Sequence, residues 1–383
     1  MLRKSLAALF AALTFVFSFS FSLPCNALSE KDISAPAAVL MDAGSGRVLY
    51  SKAPHDIRPC ASVTKVMTLI LVFEALDNGS LKPGDKITSS EHAASMGGSD
   101  IWLEPGEVMT ADEMIKAVVV ASANDAAVAL AEYISGSEDE FVRRMNEKAA
   151  ALGMKDTVFK NCNGLDEEGH VTSAYDVALM SRDLIRHREV LKYTGIRIDS
   201  LRGGKTQLVN TNKLLRSYKG ITGLKTGTTS KAGSCISATA ERDGLSLIAV
   251  VLGCSSGKER FRDAAKLLDH GFAGYAVSKL DIPAELKSRR VRVTGGMTGD
   301  TGVFVTPGKG ALVEKKRQKE IESSIRLPES VSAPVKKGDV IGEIEYKISG
   351  SPIARYQIKA ADNVEEISFL RVFLPGLRAL CSG

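Results

Sequence analysis

The chain has 383 residues, too many for one ordinary domain, and its 44% hydrophobic and 25% charged residues with 12 prolines exclude a disordered or collagen-like chain. Two compact units plus tails are the expected organisation. A formal charge of +5, from 50 basic and 45 acidic side chains that are interspersed, is too dilute to make nucleic acid a partner.

Arg3 and Lys4 precede an uncharged run over residues 5–23, and Pro24, Cys25, Asn26 and Ala27 follow, which is the arrangement of a secretory signal peptide. Residues 1–27 are therefore set apart from the fold and export is expected; a retained anchor is the alternative that the length of the run permits. Loss of Arg3 and Lys4 lowers the formal charge from +5 to +3. Residues 67–73 are apolar, but Lys65 and Glu74 bracket them closely, so they belong to a buried core helix and not to a membrane span. Beyond the signal peptide, Cys60, Cys162, Cys235, Cys254 and Cys381 are odd in number and sparse, and free thiols are expected. A Cys235–Cys254 bridge would require their segments to pair as adjacent strands.

Residues 38–52 alternate on both sides of Asp-Ala-Gly-Ser-Gly at 42–46, a β-hairpin with a glycine turn. Residues 62–77, SVTKVMTLILVFEALD, are apolar on nearly all sides and stop at Asn78-Gly79, which predicts a buried helix of about 24 Å. Helical segments follow at 111–134, 138–152 and 173–187, then strands at 234–241 and 246–253 and a helix at 260–275. The expected fold class is mixed α/β (α+β), the hairpin and the late strands sharing one antiparallel sheet. Beyond residue 282 only short alternating segments occur, at 290–293, 302–306, 311–315, 324–327, 340–348 and 354–360, separated by Gly and Pro. They predict a small all-β sandwich. The domains expected are thus 28–281 and 282–365, with a tail over 366–383. In the tail, Phe369, Leu370, Phe373, Leu377 and Leu380 with Arg371 and Arg378 suit an amphipathic helix on a membrane surface, and packing on its own domain is the alternative.

His55, His92, His170, His187 and His270 form no HExxH and there is no CxxC, so neither zinc nor another metal is expected. Without GxxxxGK[ST] or GxGxxG, nucleotide binding falls away too, and no cofactor is expected. What remains is Ser62-Val63-Thr64-Lys65 at the start of the buried helix. Residues three apart share a helical face, so the lysine amine reaches the serine hydroxyl as base to nucleophile. The pattern alone is weak, since Ser255-Ser256-Gly257-Lys258 repeats it in what looks like a glycine-containing turn. Its weight comes from Ser122-Ala123-Asn124 and Lys225-Thr226-Gly227, followed by Thr228, in that order along the chain. SxxK, SxN and KTG in order mark penicillin-binding proteins and serine β-lactamases.

A lysine with a reference pKa near 10.4 is neutral in only about one copy per 2,500 at pH 7. An efficient base needs about 4 kcal/mol of bias against the cation, which burial and a second ammonium, that of Lys225, would supply. Ser122 then relays a proton to a leaving amine, Lys225, Thr226 and Thr228 pair with a substrate carboxylate, and Asn124 orients the substrate amide. The backbone N–H groups of Ser62 and Thr228 are the expected oxyanion donors.

These motifs resemble those of D-alanyl-D-alanine carboxypeptidases, low-molecular-mass penicillin-binding proteins of the serine peptidase kind. The likeness extends to AAVLMDAGSGRVLYSK, ASVTKVMT, the run from Gly164 to Asp176, TNKLL before GLKTGTT, and APVKKGDVIGEIE, and so covers roughly residues 35–373. It implies a penicillin-binding, β-lactamase-like domain in which Ser62 is acylated by a peptidoglycan stem peptide with release of terminal D-alanine, and in which β-lactams trap the same serine. It also implies that Gly227 belongs to the substrate-binding strand, that a basic residue after the last long strand holds the carboxylate, for which Arg260 stands, and that the tail sets the enzyme against the outer face of the cytoplasmic membrane. Cys60, two residues before the serine, departs from the family pattern and is expected to be a small buried filler. A class A β-lactamase would need a glutamate in Glu-x-x-Leu-Asn, and Glu167, Glu168 and Glu189 lack those partners. A wall-binding protein with a relic site is the other alternative.

Overall fold

The computed structural model describes residues 28–368. The expected signal peptide, and the tail from residue 369 on, lie outside them. Strands β1 (Ala37–Asp42) and β2 (Val48–Lys52) form the first hairpin, and Ser45 N–H donates to Asp42 Oδ2 across its turn. Two small hairpins follow, β3 (Lys86–Thr88) with β4 (Val108–Thr110) and β5 (Ile198–Leu201) with β6 (Thr206–Val209). Then come β7 (Ile221–Thr229), β8 (Gly233–Arg242) and β9 (Leu245–Cys254). The main sheet is antiparallel in the order β2-β1-β9-β8-β7, so the first hairpin and the late strands share it as expected and β7 is an edge.

Helices cover both faces of this sheet, which is why β1 is buried along its whole length. Ala37, Val39 and Met41 pack into one core with the helices Lys65–Asp77, Asn124–Ser135 and Ala174–Leu184, while Ala38 and Leu40 pack into another with Leu267, Leu268 and Phe272 of the helix Gly257–Gly274. The two faces also explain the thiols. Cys235 and Cys254 lie on adjacent strands but belong to opposite cores, and the four cysteines among the described residues are free.

Two predicted helices need correction. The segment at 62–77 opens with a 3₁₀ turn, Ala61–Thr64, and becomes α-helical only from Lys65. The segment at 111–134 is three pieces: the helix Ala111–Lys116, a π turn Ala117–Ala121, and the helix Asn124–Ser135, with Ser122 left-handed at φ 67° between them. Ser256 and Gly257 are likewise no turn: Ser256 caps the helix Gly257–Gly274, its hydroxyl accepting from Glu259 N–H at 3.3 Å.

The second unit is all-β. Strand β10 (Tyr275–Ser278), where a helix end was expected, runs straight on from the helix Gly257–Gly274. It is followed by β11 (Arg290–Thr294), β12 (Asp300–Val305), β13 (Ala311–Glu314), β14 (Ile321–Arg326), β15 (Ser330–Ser332), β16 (Val340–Ile348) and β17 (Ser351–Ala360). β10 pairs with β13, and the other six form one sheet in the order β14-β16-β17-β12-β11-β15. Lys315 Nζ donates to Phe272 O at 2.6 Å and ties this unit to the first. No helix of the described residues is long and apolar enough to cross a membrane.

Candidate active site

The turn that carries Ser62 is gripped between two backbone segments, and a glycine permits each approach. A Cβ on Gly227 of β7 would stand 2.7 Å from Cys60 O, 2.7 Å from Ser62 N and 2.9 Å from Val63 N. On another side, a Cβ on Gly164 would stand 2.1 Å from Ala61 O and 2.9 Å from Ser62 N, and Gly164 has φ +86°. Both contacts are with backbone, so nothing can rotate aside. Ala61 takes a left-handed φ of 51° to enter the turn.

Lys65, one turn on, is 0% exposed. Its Nζ lies 3.1 Å from Ser62 Oγ, 2.5 Å from Asn124 Oδ1 and 2.6 Å from Asn163 O. Asn124 Nδ2 donates to Gly97 O at 2.6 Å, which fixes Oδ1 toward the lysine. Two of the three partners are carbonyl oxygens that can only accept, and Ser62 Oγ alone can donate. A neutral amine, with two N–H bonds and one lone pair, therefore satisfies all three and faces its lone pair to the Ser62 hydroxyl. Burial pushes the Lys65 pKa down to about 7, against the opposing pull of Cys162, Asp100 and Asp125. The Lys65 and Lys225 ammonium groups repel each other, so the second cation expected from the sequence works in the same direction as burial.

Lys225 Nζ donates to Ser122 Oγ at 2.8 Å and to Thr226 O at 2.9 Å. It is 1% exposed, and burial, then Lys65 and Arg260, hold it well below the usual lysine range. The left-handed backbone of Ser122 breaks the run of helix and allows that hydroxyl to meet Lys225 from the far side of the cleft. Thr226 donates to Thr211 Oγ1 at 2.7 Å, and Thr228 is exposed. Arg260, in the first turn of the helix Gly257–Gly274, brings Nη1 to 2.8 Å from Thr228 Oγ1 and 2.8 Å from Gly227 O. The structure thus brings Ser62, Lys65, Ser122, Asn124, Lys225, Thr226, Gly227, Thr228 and Arg260 to one cleft along the free edge of β7.

Several contributors were not found from the sequence. Asn163 acts through a backbone carbonyl, which leaves no residue-type signal. Asp125, 1% exposed, accepts from Ile101 N–H and Leu103 N–H at 3.0 Å each and so anchors the loop whose Gly97 and Ser99 carbonyls hold Asn124. Burial pushes His170 down to about 4, so it is neutral. Its Nδ1 accepts from Lys160 N–H at 3.1 Å, which leaves the proton on Nε2 to donate to Thr64 Oγ1 at 2.8 Å. The Thr64 hydroxyl in turn lies 3.4 Å from Cys60 Sγ, and burial pushes that thiol up to about 12, far from a reactive thiolate.

A serine hydroxyl facing a buried, deprotonable lysine on such a sheet-and-helix domain, followed by an all-β domain, defines a serine hydrolase of the penicillin-binding kind. Residues 25–256 match the family model for D-alanyl-D-alanine carboxypeptidase, peptidase S11, and residues 301–366 match the C-terminal domain of penicillin-binding protein 5. The chain is 42% identical over 346 residues to D-alanyl-D-alanine carboxypeptidase DacF of Bacillus subtilis, covering 89% of each chain. It is 32% identical over 378 residues to DacC of Escherichia coli, covering 95% of this chain and 93% of that one. Among solved structures, penicillin-binding protein 5 of Haemophilus influenzae superposes with a TM-score of 0.73 at 31% identity, covering 89% of this chain and all (100%) of that one. Penicillin-binding protein D2 of Listeria monocytogenes in its ampicillin-bound form reaches a TM-score of 0.55 at 35% identity, covering 63% of this chain and 98% of that one. The chain belongs to the D-alanyl-D-alanine carboxypeptidase family.

Proposed function

We propose that the chain is a serine-type D-Ala-D-Ala carboxypeptidase that removes the terminal D-alanine from peptidoglycan stem pentapeptides. Ser62 Oγ attacks the carbonyl carbon of the penultimate residue while its proton passes to neutral Lys65. The C–N bond breaks as Ser122, held by Lys225, passes a proton to the departing amine, and water then hydrolyses the ester on Ser62. Thr226, Thr228 and Arg260 receive the substrate carboxylate beside Lys225 and Gly227, Asn124 orients the amide, and the N–H groups of Ser62 and Thr228 hold the oxyanion. The observation that carries this is the hydrogen-bond pattern of Lys65, with two carbonyl acceptors and the Ser62 hydroxyl as its third partner.

The β-lactamase alternative finds no support at the glutamates. Glu167 accepts from Asn161 at 3.0 Å, Glu189 pairs with Lys192, and Glu168 is exposed. The ampicillin-bound form of the Listeria relative supports β-lactams as covalent inhibitors here. The basic start and apolar run of residues 1–27 support export to the wall side of the cytoplasmic membrane, and the residues from 369 on support peripheral contact with that membrane.

The test pairs a peptide ending in D-Ala-D-Ala with labelled penicillin. Wild type should release D-alanine and carry the label on Ser62, and Ser62→Ala should do neither. Equal product or equal labelling from both would overturn the assignment.

A further inference from the structure

Trp102 is the chain's one tryptophan, and it stands 78% exposed at φ +54° between Ile101, 1% exposed, and Leu103, 4% exposed. A left-handed backbone strains a bulky residue, a strain that glycine would avoid. Here it is imposed from both sides. Asp125 takes the N–H groups of Ile101 and Leu103, while Arg202 donates to Ile101 O at 2.8 Å and to Trp102 O at 3.3 Å. Glu107 holds Arg202 in place through bonds of 2.6 and 2.9 Å. The clamp buries both neighbours and leaves the indole in solvent.

Trp102 sits on the loop that borders the active site. Ser99, three residues earlier, accepts from Asn124 N–H at 2.7 Å, and Asn124 Oδ1 holds Lys65. An extended chain covers about 3.5 Å per residue, so Trp102 lies within about 10 Å of Ser99. On the same scale, the four residues of a stem pentapeptide on the acyl side of Ser62 reach about 14 Å, to where the peptide joins its glycan strand. Asp100 and Glu104 flank the tryptophan, while Glu107 is paired with Arg202, whose guanidinium reaches the Trp102 carbonyl. An exposed indole with the exposed Glu104 carboxylate two residues on suits a neutral sugar ring, whose C–H face packs on an indole while its hydroxyls donate to a carboxylate.

We infer that Trp102 is a docking platform for a sugar of the glycan strand that carries the stem peptide. The inference rests on the carboxypeptidase assignment above and extends it from the peptide to the polymer.

The experiment measures kcat/KM for D-alanine release from a free stem pentapeptide and from the same peptide joined to its disaccharide, in wild type, Trp102→Ala, Trp102→Phe and Ser62→Ala. The ratio of the linked to the free value should fall about tenfold in Trp102→Ala and be largely restored in Trp102→Phe. In Ser62→Ala, emission from the single tryptophan should shift on titration with peptide-free disaccharide oligomers. A Trp102→Ala ratio equal to that of wild type would overturn the platform. So would an emission shift with anionic phospholipid vesicles and none with saccharide. Release of D-alanine by Ser62→Ala would instead sink the catalytic assignment, and the ratio would still report on Trp102.

Discussion

Lys65→Met should acylate with penicillin about 10³-fold more slowly than wild type, the scale at which a positioned base acts. Methionine fills about the same volume and removes an ionisable amine from a fully buried site, so the fold should survive. The variant leaves Asn124 Oδ1 and Asn163 O without the amine, at about 1–3 kcal/mol for each unsatisfied group, which a melting curve will register. Lys65→Arg should not rescue the rate, because a guanidinium stays protonated at any working pH. Acylation of Lys65→Met within tenfold of wild type would mean that another group takes the Ser62 proton.

Gly164→Ala should be the most damaging small substitution in the chain. The added methyl meets the Ala61 carbonyl at 2.1 Å for oxygen and 2.5 Å for carbon, and the residue keeps φ +86°. Overpacking against backbone and a left-handed alanine together should cost about 3–5 kcal/mol, or shift the Ser62 turn and the acylation rate with it. Gly153→Ala is the control: its φ is +75°, but nothing lies within 4 Å of the new methyl. It should lose only about 1 kcal/mol. Equal losses in the two variants, measured by urea unfolding, would mean that the contact with the serine turn is unimportant.

What the sequence displayed was whatever has a local cause. The Asp-Ala-Gly-Ser-Gly turn made the first hairpin visible, and the Gly- and Pro-punctuated alternation beyond residue 282 made the all-β unit visible. The order of SxxK, SxN and KTG placed the cleft. What it hid has tertiary causes. Nothing in VVVASANDAAVAL marks a break, because the left-handed backbone of Ser122 sits where its hydroxyl meets Lys225, on a strand about a hundred residues away (sequence separation 103). The glycines at 164 and 227 were visible as letters, but the backbone they admit was not. The Lys65 environment was half legible. A depressed pKa follows from the chemistry, yet its largest cause is burial beneath Asn124 and Asn163, which no residue type in the motif announces.

The rate of Ser62 acylation by labelled penicillin, followed from pH 4 to pH 9, tests the Lys65 base most directly. With its pKa lowered from 10.5 to about 7, the amine is neutral above that value and protonated below it. The rate should be level at high pH, turn near 7, and fall about tenfold per pH unit below, and Lys65→Met should lose this dependence. A wild-type profile flat down to pH 4 would contradict a lysine that takes the serine proton.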